Sequence, residues 1–132
     1  TLDNVTADGN GAKLGGGLAL LGAGAMTVGS CTITENSGVN LDASRNTGAL
    51  SVTNTIVWGA KTDCVGTVLT GGGNLEGGSS CGFTGTNDQQ NQDPLLAPID
   101  DYGGLLPTRP PRSLRSCTAS HGPAMCCCTT MT

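Results

Sequence analysis

The side chains with the greatest capacity for chemistry in this sequence are its ten carboxyl groups, which accompany a single histidine, His121. Hydrolysis of a sugar bond needs two carboxyl groups that face the bond. Lyase chemistry needs a base that takes a proton, often beside calcium held by acidic residues. Asp100 and Asp101 are adjacent in the chain, and adjacent side chains in extended backbone diverge, so we interpret them as part of a solvated loop. Equivalent positions of the repeat hold no recurring pair of carboxyl groups, so we predict no catalytic residue, and we also predict no cofactor-binding residue.

The seven cysteines fall into two groups: Cys31, Cys64 and Cys81 in the first hundred residues, and Cys117 with the run 126–128 near the end. Zinc sites usually draw their ligands from two close pairs of cysteine or histidine. This sequence does not offer two such pairs, and its single histidine is His121. We therefore predict no metal site. Cys31 is interpreted as a small core residue. The run 126–128 is not interpreted as a site, because adjacent cysteines cannot readily ligate one metal together.

The composition predicts a thin-layered core and argues against nucleic acid as a partner. Aromatic residues make up 2% of the 132 residues and 22 residues are glycine, so large side chains cannot fill a compact core. Disorder is the alternative, but Val, Ile, Leu and Thr recur along the first hundred residues. Residues 1–101 hold all ten acidic residues and three basic ones, a net charge of −7. Nucleic-acid binding needs a basic face, which this part of the chain lacks.

A repeat runs through the first half of the chain. Residues 2–10, 28–36 and 52–60 align without gaps. Each segment has an aliphatic residue, a small polar residue two positions on, and then a short β-prone run. A coil with this period can hold three short strands, and the next coil can stack on it about 4.8 Å away. The predicted inward rows are Leu2, Val28 and Val52, then Thr6, Thr32 and Ile56, with Leu18, Leu20, Met26, Ile33, Leu41 and Leu50 filling other inward positions.

Corners between the strands are predicted at Asn- and Gly-rich positions, because these residues tolerate left-handed backbone. Asn4, Ser30 and Asn54 occupy equivalent places and are predicted to stack as a polar ladder. The uncharged stretch 14–34 resembles a signal sequence or a membrane span, but six glycines between 15 and 29 make it a poor candidate for either. The repeat explains the same residues better, so no membrane span is predicted.

The second half of the chain carries more distinctive motifs and resembles a known family. The motifs are NTIVWG at 54–59, DCVG at 63–66, GGNL at 72–75, SCGF at 80–83, DPLL at 93–96 and DYGG at 101–104. Their order is similar to the C-terminal part of bacterial right-handed parallel β-helix proteins of the choice-of-anchor Q type, which in outline are similar to polymorphic outer-membrane proteins and other β-helix adhesins. The resemblance covers about residues 1–106 and is most specific over 54–104.

The resemblance implies an all-β fold, a right-handed parallel β-helix of a few coils, together with export and a role at the bacterial cell surface. The expected function is a non-catalytic module with an adhesin-like or structural role, and surface polysaccharide or a host or cell-surface component is the expected partner. The alternative is a polysaccharide-binding or polysaccharide-degrading β-helix. Trp58 is the candidate sugar platform, since aromatic residues are otherwise almost absent.

The same motifs imply a disulfide between Cys64 and Cys81, each of which lies in one of them. Export favours disulfides, and closing the loop between these two residues would stabilise the fold by about 3 kcal/mol. The alternative is two independently buried thiols.

Three regions are expected along the chain: β-helix coils over 1–80, an irregular closing segment over 81–106, and a tail over 107–132. The chain begins in mid-repeat and is interpreted as a fragment. Family members continue after the Gly-Gly pair with Thr-His, whereas Arg109 follows Thr108 here. Residues from about Arg109 onward are therefore interpreted as the product of a shifted reading frame, and they are expected to pack poorly against the coils. A genuine disordered tail is the alternative.

Overall fold

The computed structural model describes residues 1–112, and the strands within this range are short and pair in parallel. Short strands separated by turns are what a chain with glycine and asparagine every few residues can form. The strands are β1 (Leu2–Asp3), β2 (Thr6–Asp8), β3 (Leu18–Gly22), β4 (Met26–Gly29), β5 (Thr32–Thr34), β6 (Val39–Asn46), β7 (Leu50–Thr53), β8 (Ile56–Trp58), β9 (Thr62–Gly66), β10 (Val68–Gly72) and β11 (Leu75–Glu76).

The strands form three parallel sheets, and successive coils each add a strand to a sheet. The sheets have the orders β1-β4-β7-β10, β2-β5-β8-β11 and β3-β6-β9. Leu2 pairs with Val28 and Val28 with Val52, so the repeat read from the sequence is the repeat of the coils. The all-β, parallel β-helix prediction is confirmed. Right-handed winding is the hand that parallel crossovers almost always take, and it stays a prediction for this chain.

The core is a narrow column of small and medium-sized aliphatic side chains. One predicted row holds, because Val28 and Val52 are fully buried with Leu2 packed at its end. Stacked coils let each inward side chain cover the one above it, so residues of this size suffice without aromatic ones. The fully buried aliphatic residues are Val28, Ile33, Leu41, Leu50, Val52 and Val57.

The second predicted inward row is wrong by one residue. Thr6, Thr32 and Ile56 do pair in register, but all three are only half-buried, while the neighbouring row contains the fully buried Ile33 and Val57. The left-handed corner at each coil causes the shift. It inserts a residue outside the two-residue alternation of the strands, so counting inward positions from Val28 across the corner gives the wrong face.

The corners at Asn4, Ser30 and Asn54 stack on one another and are held together by their backbone groups. These residues have φ of 56°, 52° and 49°, a conformation that asparagine adopts more readily than most residues. All three are exposed, and the coils are joined there by backbone hydrogen bonds such as that from Ser30 N to the Thr53 carbonyl, 3.1 Å. The predicted ladder is therefore a ladder of backbone conformation.

A polar side-chain ladder lies one residue further along, inside the coils. Thr55 Oγ1 accepts a hydrogen bond from Cys31 N (3.3 Å), and Asn74 Oδ1 accepts one from Thr55 N (3.0 Å). Asn74 Nδ2 in turn donates to the Val52 carbonyl (3.0 Å). Backbone groups at a buried corner must find partners, and these side chains supply them from the adjacent coil.

Beyond β11 the chain leaves the regular coils and returns across them as a strap, defined here as residues 95–112. Single antiparallel bridges between Leu96 and Pro111 and between Asp100 and Thr108 hold the two halves of the strap together. Thr108 Oγ1 lies 3.0 Å from Thr6 Oγ1, which places the end of the strap against the first coil. Across residues 1–112 the structure has no helical segment with the length and apolarity that a membrane span requires.

Candidate functional site

The disulfide joins the last full coil to the segment that closes it. Cys64 lies in β9 and Cys81 follows β11, with their Cα atoms 4.7 Å apart and both side chains buried. The predicted pairing is confirmed. Cys31 is a buried free thiol that donates to the Gly29 carbonyl, which agrees with its interpretation as a small core residue.

A chain of polar side chains leads from the first coil to Asp63. Asn36 Oδ1 accepts from Asn10 N (2.9 Å), and Asn36 Nδ2 donates to Asn40 Oδ1 (2.9 Å). Asn40 Nδ2 then donates to Asp63 Oδ1 (2.8 Å), which also accepts from Ala60 N (3.4 Å). Asn36, Asn40 and Asp63 are all buried, so the network satisfies polar groups that would otherwise be costly inside the protein.

Two buried carboxyl groups, Asp63 and Glu76, face the same interior region. Glu76 is fully buried and its two carboxyl oxygens accept from Cys81 N at 3.2 and 3.0 Å. Burial raises the pKa of Asp63, against hydrogen bonds led by that of Asn40, which lower it. Burial also raises the pKa of Glu76, and the nearby Asp63 charge raises it further. The pair could not be predicted from the sequence, because β10 separates Asp63 from Glu76 along the chain and only the closing of the last coil brings them together.

Trp58 borders an open surface depression of about 460 Å³ whose lining includes Asp63. The indole is half-buried, and Gly77 makes room for it: a Cβ at Gly77 would lie 2.6 Å from Trp58 Cδ1. Asp63 lies at the floor, since its Oδ2 would be 3.4 Å from that same Cβ. The depression is lined by Trp58, Gly59, Ala60, Lys61, Thr62, Asp63, Gly77, Gly78, Ser79 and Ser80.

The remaining carboxyl groups lie apart from this depression or hold the backbone. Asp42 Oδ1 accepts from the Ser44 hydroxyl and from Ser44 N (2.6 and 2.9 Å), and these bonds lower the pKa of Asp42. Burial opposes ionisation of Asp88, but the bonds led by that of Thr70 outweigh it and lower the pKa of Asp88. Asp100 and Asp101 are exposed. Among residues 1–112 no three His, Cys, Asp or Glu side chains are grouped so that they could hold a metal ion.

Arg109 fixes the strap to the first two coils, a contact that was not predicted from the sequence. Its Nη1 lies 2.8 Å from Asp8 Oδ1 and 2.7 Å from Glu35 Oε2, and its Nε donates to the Ala97 carbonyl (3.0 Å). The Arg109 side chain is 11% exposed. The expectation that the chain packs poorly from Arg109 onward is therefore wrong for Arg109 itself, because two carboxylates of the acidic coils attract the guanidinium. Residues 113–132, including the cysteines at 117 and 126–128, lie outside the described residues.

We expect Arg109→Ala to loosen the strap at a cost of about 1–2 kcal/mol, because it removes two ion pairs of a mostly buried guanidinium. Amide hydrogen exchange should speed up at residues 96–108 and stay unchanged in β4–β8. Arg112→Ala is the matched control, because Arg112 is exposed and forms no ion pair within the described residues. Equal exchange in the two variants would contradict a clamping role for Arg109.

No protein-family model matches this chain, and neither a characterised protein nor a solved structure shows significant similarity to it.

Proposed function

We propose that this chain is a non-catalytic module of an exported parallel β-helix protein of the choice-of-anchor Q type, with an adhesin-like or structural role at the bacterial surface. The observation that carries the proposal is that both buried carboxyl groups, Asp63 and Glu76, accept hydrogen bonds from inside the protein. Glu76 is inaccessible and accepts backbone hydrogen bonds, and Asp63 ends an internal network. Groups fixed in this way support the coils and are not presented to a sugar bond, as glycoside hydrolysis requires.

Two further features support the surface role. A disulfide in the closing coil suits a protein that folds in an oxidising compartment. The coils are strongly acidic, which favours solubility over association with nucleic acid. Polysaccharide binding without cleavage is the second candidate function, and the depression beside Trp58 is the observation that favours it.

The non-catalytic role is tested by incubating the purified protein with pectin, alginate and neutral glucans, with calcium added. We expect neither new reducing ends nor unsaturated uronates, because among residues 1–112 no pair of accessible carboxyl groups faces the depression. Reproducible cleavage that is lost in Asp3→Asn, Asp8→Asn or Asp42→Asn would overturn the proposal. Boiled protein serves as the control for contaminating sugar.

A further inference from the structure

We propose that the depression beside Trp58 is a binding subsite for a neutral hexose unit of a polysaccharide. This inference deepens the second candidate function and rests on the proposed non-catalytic role, since the bound sugar is held and not cut. The depression, at about 460 Å³, is as large as many small-molecule sites in proteins.

The lining of the depression offers the two kinds of contact that a sugar ring needs. The indole of Trp58 supplies an apolar surface for the C–H face of the ring. Gly77 leaves room for the indole, because any side chain at residue 77 would collide with Trp58 Cδ1. The indole is therefore built into the wall, between the turn after β8 and the turn after β11.

Hydrogen-bond donors complete the lining of the depression. Ser80 Oγ accepts from both Asp63 N and Cys64 N at 3.0 Å, so its own hydrogen is left to donate to a ligand. Lys61 is exposed and forms no ion pair within the part of the chain that the structure describes. Ser79 is exposed beside them.

The charge of the surroundings selects a neutral sugar over an acidic one. Asp63 lies in the floor of the depression. Lys61 is the one basic side chain among the described residues that line the depression. A polyuronate would bring a row of carboxylates against coils that are already strongly acidic, and repulsion would oppose its binding.

Gly78 offers a substitution that fills the depression and spares the fold. Its backbone is outside the left-handed region, and a Cβ there would meet nothing nearer than Glu76 Oε1, at 4.0 Å. Gly78→Leu therefore places a side chain in the open space where the sugar would lie. Gly24→Leu is the matched control, because a Cβ at Gly24 would also meet open space and Gly24 belongs to a different part of the coil.

The test uses the fluorescence of Trp58, which is the sole tryptophan in the 132 residues. The full chain is titrated with cellohexaose, mannohexaose and maltohexaose, and with hexagalacturonate as the acidic probe. We expect a saturable change in emission with at least one neutral hexasaccharide and none with hexagalacturonate. Calorimetry should show binding weakened by about tenfold or more in Gly78→Leu and in Trp58→Ala, and unchanged in Gly24→Leu.

Three results would overturn the subsite: no saturable response to any of the neutral sugars, binding of hexagalacturonate alone, or equal affinity in Gly78→Leu and Gly24→Leu. Chromatography of the sugars after titration separates this inference from the proposed function. Sugars that bind and are cut would refute the non-catalytic role and leave the subsite standing. Sugars that are neither bound nor cut would refute the subsite alone.

Discussion

Replacing Cys64 and Cys81 together with alanine is expected to lower the free energy of unfolding by about 3 kcal/mol. The two cysteines have a sequence separation of 17, and on the chain-entropy model a loop of about this length restricts the unfolded chain by that amount. Urea denaturation followed by circular dichroism measures the change. The four cysteines beyond residue 112 are replaced by serine in every variant, so that only the pair under test differs.

Cys31→Ala is the control for loss of a buried sulfur without loss of a cross-link. Cys31 is as buried as the paired cysteines but is a free thiol, so its substitution should cost about 1 kcal/mol or less. If the double variant loses no more than Cys31→Ala, the cross-link does not stabilise the closing coil.

The disulfide also orders the polar groups around it. Ser80 Oγ accepts from the backbone of β9, and Glu76 accepts from Cys81 N. The segment 76–81 is thus tied to β9 by the covalent bond and by these hydrogen bonds. Loss of the bond should therefore speed amide exchange first at residues 64 and 81 and only later in β4–β7.

The coil stack and the disulfide could be predicted from the sequence, whereas the face of each strand and the strap could not. The repeat is visible because equivalent positions in neighbouring coils, such as Val28 and Val52, share a residue type. The inward row of β2, β5 and β8 was misplaced because a left-handed corner interrupts the alternation that a strand pattern relies on. A one-residue shift of this kind moves every side chain of the strand to the other face.

Arg109 escaped prediction for a different reason. Its partner Asp8 is 101 residues away along the chain. An ion pair between an irregular strap and a coil leaves no periodic signal in the sequence. The one available hint was charge, because Arg109 is the first basic residue after a long acidic region. The carboxyl pair of Asp63 and Glu76 likewise depends on the last coil. This coil is shorter than the repeat predicts, because Leu50 pairs with Val68.

The contribution of Asp63 and Glu76 to the stability of the fold is expected to be lost as the pH rises above the ordinary pKa values of their carboxyl groups. Burial raises the pKa of both groups above their ordinary values of 3.8 and 4.5. Below those values both groups are protonated in the folded and the unfolded chain, and their contribution is fully present. As the pH rises, the unfolded chain releases these protons first, and stability is lost until the raised pKa of each folded group is passed.

Asp42 and Asp88 change the stability of the fold in the opposite sense, because their contribution is lost as the pH falls. Hydrogen bonds from Ser44 lower the pKa of Asp42. Burial acts to raise the pKa of Asp88, but hydrogen bonds led by that from Thr70 outweigh it and lower the pKa. The contribution of both groups is present above the ordinary value of 3.8 and is lost as the pH falls through the lowered pKa of each folded group.

Glu76→Gln is expected to flatten the fall in stability above the ordinary pKa of Glu76, because an amide cannot ionise. Urea denaturation at several pH values measures the change in slope. The slope is the quantity compared, because the amide also alters the hydrogen bonds to Cys81 N and shifts stability at every pH. Asp100→Asn removes an exposed carboxylate and changes the net charge equally, and it should leave the slope as it is. A Glu76→Gln profile as steep as that of Asp100→Asn would show that the buried carboxyl of Glu76 does not set the pH dependence.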